Sequence, residues 1–546
     1  MSRDEETSPL LAAQEDDSSI PITQVKSTAS TSDDIETAQD FPRSVDRNVL
    51  PEESSLGRHL TWQSAYILVI SRVIGSGIFA TPGAVVRSTG SIGLSLIVWM
   101  IGAVFAACSL AISLEFGCML PRSGGDKVYL EFIYRRPRFL ASTMVAVTAV
   151  LLGFTASNCI VFSQYVLFAF NIEPTEWVQK SLALALLTVI TIVHSCLPRA
   201  GVAIQNVLGW IKVGLVLFMI CAGLFVIGFR RESREHSSIP TWTHLWEGSD
   251  WSWGVIATSV FKVIYSYTGL NNVNLVLNDV KNPIRTLKSV SISAFWTAFF
   301  LYGLINIAYF VVVPIDEIKS SGELIAALFF ERSFGPKVGK TLLPIAVALS
   351  GAGNVMVVTY ALARLNQEIA RQGFFPYSSL LASSKPFNAP MGGFIVLYIP
   401  SFLVIVVPPS KDAYSFILDV ESYPRQFFVL ALSVGLIWLR HKLPDLQRPF
   451  KAWQSAVVLM IGITLALIVA PFFPSKEQTG NLFYAAYAFV GVGILLVGFF
   501  YWYIGFVLIP RWKGYRIEEA SDILDDGVTV TRLIKVPVKV DRINSN

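Results

Sequence analysis

Apolar runs long enough to cross a bilayer recur from about residue 61 to residue 510, joined by short polar connections. Nothing constrains the fold more. About twenty apolar residues let an α-helix cross the hydrocarbon core. In lipid only helices and closed barrels satisfy their own backbone groups. We read about twelve such segments, near 62–84, 92–118, 138–168, 181–199, 205–229, 252–277, 286–314, 338–369, 390–408, 412–440, 452–473 and 481–510. They predict an all-α polytopic membrane protein. A composition of 53% hydrophobic and 15% charged residues agrees with that class and not with a soluble domain.

The flanks differ. Residues 1–57 are polar and acidic, with Asp4-Glu5-Glu6, Glu15-Asp16-Asp17 and Asp33-Asp34, and show no cleavable signal pattern. Such a stretch cannot bury enough apolar surface to fold alone, so a disordered cytoplasmic tail is expected. Residues 58–510 form the membrane domain. Residues 511–546 mix charge with β-prone stretches such as Val536-Pro537-Val538, and are expected to form a second cytoplasmic tail that docks on the body.

Basic residues cluster after segments two, six, ten and twelve. Arg122, Lys127, Arg135, Arg136 and Arg138 follow segment two. Lys281, Arg285 and Lys288 follow segment six. Arg440, His441, Lys442, Arg448 and Lys451 follow segment ten, and Arg511, Lys513 and Arg516 follow segment twelve. With alternating segments these loops share one side, and the positive-inside rule makes it the cytoplasm, with both termini there.

Two segments are interrupted. Segment one carries Gly75-Ser76-Gly77 between strongly apolar flanks. Each glycine in a helix costs about 1 kcal/mol against alanine. Segment six carries Tyr265-Ser266-Tyr267-Thr268-Gly269-Leu270-Asn271-Asn272. Either stretch alone also suits close helix packing. Together, in corresponding positions, they are the sign of a 5+5 inverted repeat. The repeats would be about 62–229 and 252–440, with peripheral helices at 452–510.

A break in a segment exposes backbone groups. The N–H groups of Ser76 and Gly77, at the start of a resumed helix, suit a carboxylate, and the Ser76 hydroxyl adds a donor. Carbonyls near Val73, Tyr265 and Thr268 suit an ammonium. A site with both ends matches a zwitterionic α-amino acid. Lys212 lies about seven residues into segment five, roughly 10 Å deep. It either snorkels to the interface or faces the protein interior, where its ammonium would meet the freed carbonyls of segment one. Segment ten carries Asp419, Glu421 and Arg425. Glu421 and Arg425 stand at i, i+4, the spacing of a mutual ion pair, and a cavity role is equally open. Glu115, near the end of segment two, reads as structural, with a partner among the basic residues of the following loop.

The five cysteines, Cys108, Cys118, Cys159, Cys196 and Cys221, fall inside segments and imply no disulfide framework. No Cys/His spacing for a metal appears, and no nucleophile–base pair. No cofactor, no nucleic-acid partner and no enzyme chemistry are expected.

Val73-Ile74-Gly75-Ser76-Gly77-Ile78-Phe79, Ser266-Tyr267-Thr268-Gly269-Leu270-Asn271, Asn282-Pro283-Ile284-Arg285 and Ile437-Trp438-Leu439-Arg440-His441-Lys442 keep their order along the chain. They resemble the amino acid–polyamine–organocation superfamily and, within it, the L-type amino acid transporter group. Pro121 to Glu131 and Gly153 to Ser157 are similar to fungal high-affinity methionine permeases. The resemblance implies a LeuT-like fold in the plasma membrane. It implies that Gly75, Ser76 and Gly77 hold the substrate carboxylate, and that the Val73, Tyr265 and Thr268 carbonyls hold its amino group. It makes Tyr265 an aromatic gate, Asn271 a pocket residue and Lys212 a stand-in for a coupling cation. It implies sodium-independent, proton-coupled uptake of methionine or a similar neutral amino acid. A broader exchanger, or a transceptor with little transport, is the alternative. The family usually has Gly where Thr268 stands and Trp where Leu270 stands. No cysteine lies between Asn171 and Lys180, so a disulfide-linked heavy chain is not expected. Lys26 in the acidic tail suits ubiquitination.

Overall fold

The computed structural model describes residue 58 and residues 60–537, except 230–243, 376, 384–386, 388, 409–412, 474–484 and 524–528. The acidic tail, with Lys26, lies outside the described residues.

Among the described residues nine helices are long and apolar enough to cross a membrane. They belong to segments two (Ile92–Met119), three (Leu140–Ala169), four (Glu176–Cys196), five (Pro198–Phe229), seven (Pro283–Val312), eight (Val338–Arg371), ten (Ala413–Lys442), eleven (Gln454–Phe472) and twelve (Ala486–Lys513). Segments six and nine supply shorter apolar helices, Trp253–Ser266 and Met391–Val406. Segment one is split into Trp62–Val73, Ser76–Phe79 and Thr81–Thr89.

Two interruptions differ from the sequence reading. The second part of segment six is not an α-helix: after Ser266 the chain turns, then runs through 3₁₀ turns at Asn272–Leu275 and Leu277–Asp279. Its asparagine-rich sequence competes for backbone hydrogen bonds and favours such turns over a helix. Segment three is also split, between Leu140–Leu151 and Ala156–Ala169. Three interrupted segments therefore bring non-helical backbone into the interior.

Segment eight packs against segments three, five and nine. Segment six packs against segments two and ten and the later part of segment one, and segment seven against segments one, two and five. The interior they enclose is fully apolar in places, as at Ile78, Phe79, Phe261, Phe329 and Phe330. Segment twelve packs on segments three and ten and is the least covered, with Phe489 70% exposed. So broad an apolar face belongs against lipid.

Glu115 ends in a place the sequence reading missed. It is fully buried. Arg440 Nε donates to its Oε1 at 3.0 Å, Arg440 Nη2 donates to Oε2, and the Ala452 N–H donates to Oε2 at 2.8 Å. Arg448 Nε stands 3.5 Å from Oε1. The partners come from the end of segment ten and the stretch that follows it, not from the loop after segment two, because segments ten and eleven both pack on segment two.

At the C-terminus, strands Tyr515–Ile523 and Thr529–Pro537 pair antiparallel, with Tyr515 opposite Pro537. The Leu533 N–H donates to the Gln372 carbonyl at 3.1 Å, and its side chain packs against the cluster of Ala146, Ile369 and Phe374 at the end of segment eight.

Candidate functional site

The helix at the start of segment one ends at Val73, and Ile74 is extended at φ −74°, ψ 90°. Neither Gly75 nor Gly77 needs a positive φ. Both are required by close approach. A Cβ on Gly75 would stand 2.5 Å from Asn354 Nδ2, and one on Gly77 would stand 2.8 Å from Ser266 Cα. Segment one is therefore clasped between a side chain of segment eight and the backbone of segment six.

The break frees carbonyls, and buried carbonyls need donors. Tyr302 of segment seven supplies its hydroxyl to Val73 O at 3.0 Å and to Ser266 O at 2.6 Å, and so joins both broken segments. Tyr309, two turns on, donates to Ile78 O at 3.1 Å. Tyr165 of segment three donates to Phe79 O at 3.0 Å. Ser266 Oγ donates to Gly77 O at 3.4 Å. Lys212 Nζ donates to Ser71 O at 3.2 Å and is itself 1% exposed, so it faces the interior rather than snorkelling. The helix that resumes at Ser76 opens with the N–H groups of Ser76 and Gly77; the Ser76 side chain lies outside what the structure describes.

In segment six the Tyr265 carbonyl accepts the Thr268 N–H at 2.9 Å, and Thr268 Oγ1 donates to Ile264 O at 3.3 Å. Each carbonyl keeps a second lone pair. The Tyr265 hydroxyl crosses to segment three, 2.9 Å from Ser157 Oγ and 3.2 Å from Asn158 Nδ2. Asn158 Oδ1 in turn accepts from Asn354 Nδ2 at 3.1 Å. A polar chain thus runs from the break in segment six, through the start of the second helix of segment three, to segment eight and back to Gly75. Asn271 stands at the start of the first 3₁₀ turn, with its side-chain oxygen buried and unbonded among the described residues.

The charges gather on either side of this chain. Arg72, in the first helix of segment one, packs over Gly269 and lies within electrostatic reach of Lys212, Tyr265, Glu421 and Arg425. Glu421 lies within electrostatic reach of both Arg72 of segment one and Arg425 of its own helix. Asp419 is buried and within reach of Lys262, which donates to Ser88 at 3.2 Å.

The structure brings Val73, Gly75, Ser76, Gly77, Tyr265 and Lys212 to one region. The sequence reading missed Arg72, Asn158, Lys262, Tyr302 and Asn354. Tyr302 and Tyr309 stand at i, i+7 in an apolar segment, and buried tyrosine hydroxyls seek a partner. That was a readable signal. The asparagines carried none, because their partners lie 107 and 196 positions away.

A family model described as amino acid permease matches residues 60–507. The chain belongs to the amino acid permease family. The low-affinity methionine permease of Saccharomyces cerevisiae is 32% identical to this permease over 487 residues, covering 88% of each chain. The high-affinity methionine permease of that yeast is 33% identical over 512 residues, 92% of this chain and 87% of its own. The human b(0,+)-type amino acid transporter 1 is 27% identical over 425 residues, 77% of this chain and 84% of its own. These relatives are transporters and not enzymes, and amino acid transport is the activity of the family. A multi-pass membrane protein of the plasma membrane is the corresponding setting.

Proposed function

We infer that this permease imports methionine or a similar neutral amino acid by alternating access about the two interrupted segments. The observation that carries the reading is the meeting of segments one and six at their breaks, where Tyr302 joins Val73 O to Ser266 O beside the start of the helix at Ser76; the Ser76 and Gly77 N–H groups supply one polarity, and the carbonyls of Val73, Tyr265 and Thr268, each with a second lone pair, supply the other. A zwitterion matches both. The preference for methionine rests on the two yeast methionine permeases, each similar along almost the whole chain.

In this reading the core is a 5+5 inverted repeat with about twelve spans and both termini in the cytoplasm. The Lys212 ammonium, donating to Ser71 O, occupies the place of a coupling cation and makes sodium unnecessary. Uptake is then driven by a proton gradient. Tyr265 closes over the substrate, and its hydroxyl contacts to Ser157 and Asn158 are made in the closed arrangement. Asn271 lines the pocket, Asp419, Glu421 and Arg425 border the cavity, and ubiquitination at the tails governs turnover.

Labelled methionine uptake in a permease-deficient yeast strain tests this. Saturable uptake is expected, abolished by a proton ionophore, indifferent to replacing sodium with potassium, and competed by neutral amino acids. No uptake of any amino acid, with the protein verified at the surface, would refute the reading. Ser76→Leu with full uptake would refute the site.

A further inference from the structure

The geometry points to Asn354 as a substrate-contacting residue whose side-chain oxygen accepts a hydrogen bond from the α-ammonium of the transported amino acid. This deepens the proposed function and rests on it.

Asn354 is 4% exposed and lies midway along segment eight. Its carboxamide rests against the break in segment one: a Cβ on Gly75 would come within 2.5 Å of Nδ2 and 3.7 Å of Oδ1. The orientation of the amide follows from its neighbours. Asn158 Nδ2 donates to the Tyr265 hydroxyl at 3.2 Å, and that hydroxyl also pairs with Ser157 Oγ at 2.9 Å. Asn158 Oδ1 is then the acceptor, and Asn354 must present Nδ2 to it, at 3.1 Å. Each member gives one bond to the next. The open end of the chain is Asn354 Oδ1, buried and without a hydrogen-bond partner among the described residues.

A buried acceptor beside non-helical backbone calls for a donor, because buried polar groups are as a rule paired. Methionine and similar neutral amino acids carry donors only on the ammonium, which has three N–H groups. The carbonyls nearby are partly used: Val73 O by Tyr302, and Tyr265 O by the Thr268 N–H. Asn354 Oδ1 supplies an acceptor that nothing else among the described residues has claimed. Asn158 is a positioning residue. It fixes the Asn354 amide and ties it to Tyr265, so occupancy by an ammonium is felt at the aromatic ring of segment six.

The test compares two competitors of labelled methionine uptake by the full chain in yeast: methionine, and its desamino analogue, in which a hydrogen replaces the ammonium. In the wild type the analogue competes more weakly by roughly tenfold to a hundredfold, the range for losing a hydrogen bond to a charged group. Asn354→Leu raises the methionine KM by about tenfold or more, leaves the analogue's inhibition constant near its wild-type value, and so shrinks the ratio. Asn354→Ala, smaller and without an acceptor, gives the same measurement where the leucine variant fails to reach the surface. Asn354→Asp keeps an acceptor and keeps the discrimination. Asn158→Ala lowers the maximal rate through Tyr265 with the ratio unchanged. An active wild type whose ratio survives Asn354→Leu or Asn354→Ala would overturn this inference alone. A surface-expressed wild type that takes up no amino acid would overturn it together with the function it rests on.

Discussion

Tyr302 shares one hydroxyl proton between two carbonyls, Val73 O at 3.0 Å and Ser266 O at 2.6 Å, on the two segments that would move relative to each other in transport. Removing that hydroxyl leaves two buried acceptors short of a donor, at a cost of about 1–3 kcal/mol. Tyr302→Phe is expected to reach the membrane, to lower the melting temperature of the solubilised protein by several degrees, and to cut the maximal uptake rate about tenfold if the cost falls on the moving state. Fluorescence-detected thermal unfolding and uptake kinetics check the two effects separately. Lys212 is a sharper case, because its ammonium is buried and donates to Ser71 O at 3.2 Å. Lys212→Met removes the donor and the charge together. It should reach the surface and lose at least about nine-tenths of its uptake, as expected where a buried donor is withdrawn from the carbonyl it bonds. Uptake above half of wild type would show that the ammonium is dispensable.

Segment one shows what can and cannot be read at the scale of an element. The glycine pair announced the break, and the apolar flanks announced a membrane segment. The reason for the glycines was not legible, because it lies in other elements: Asn354 of segment eight abuts Gly75, and the Ser266 backbone of segment six abuts Gly77. A sequence reading sees the local cost of glycine and not the neighbour that demands it. For the same reason the break in segment three passed unseen, with Gly153-Phe154-Thr155 lying inside a run of otherwise continuous hydropathy. The 3₁₀ turns after Ser266 passed unseen because an apolar segment with three asparagines still averages to a helix. The two glycines therefore differ in how they can be repaired. At Gly75 a methyl group would meet the end of a side chain, and at Gly77 it would meet main chain. Gly75→Ala should lose surface expression and regain most of it in combination with Asn354→Ala, which clears the space. Gly77→Ala should not be regained by Ser266→Ala, since the Ser266 Cα stays at 2.8 Å. Surface biotinylation of the four variants decides it, and equal rescue of both would refute the close-approach argument.

At the scale of the molecule, the elements are held by contacts that skip most of the chain. The stretch after segment ten was legible as a basic cluster, and positive-inside charge accounts for its sign. It does not account for Arg440 and Arg448 turning inward onto one carboxylate, 325 positions before Arg440. Glu115 accepts from Arg440 through both oxygens and from the Ala452 N–H at 2.8 Å, so segments two and ten and the entry to segment eleven meet on a single side chain. Burial of that charge is tolerable only because it is paired twice over. Breaking a buried pair from one side strands the other charge, at about 3–5 kcal/mol, whereas removing both is often close to neutral. Glu115→Ala should therefore be severely destabilised, with two guanidinium groups left without their acceptor. Arg440→Ala should be milder, because Arg448 stands 3.5 Å from Oε1 and retains part of the compensation. The combination Glu115→Ala with Arg440→Ala should be less damaged than the sum of its parts, with a coupling energy of about 1–3 kcal/mol. Thermal unfolding of the solubilised wild type, both single variants and the double variant closes the cycle. Additive losses would mean that the three segments are held by their apolar packing alone, and that the carboxylate is a passenger in their contact.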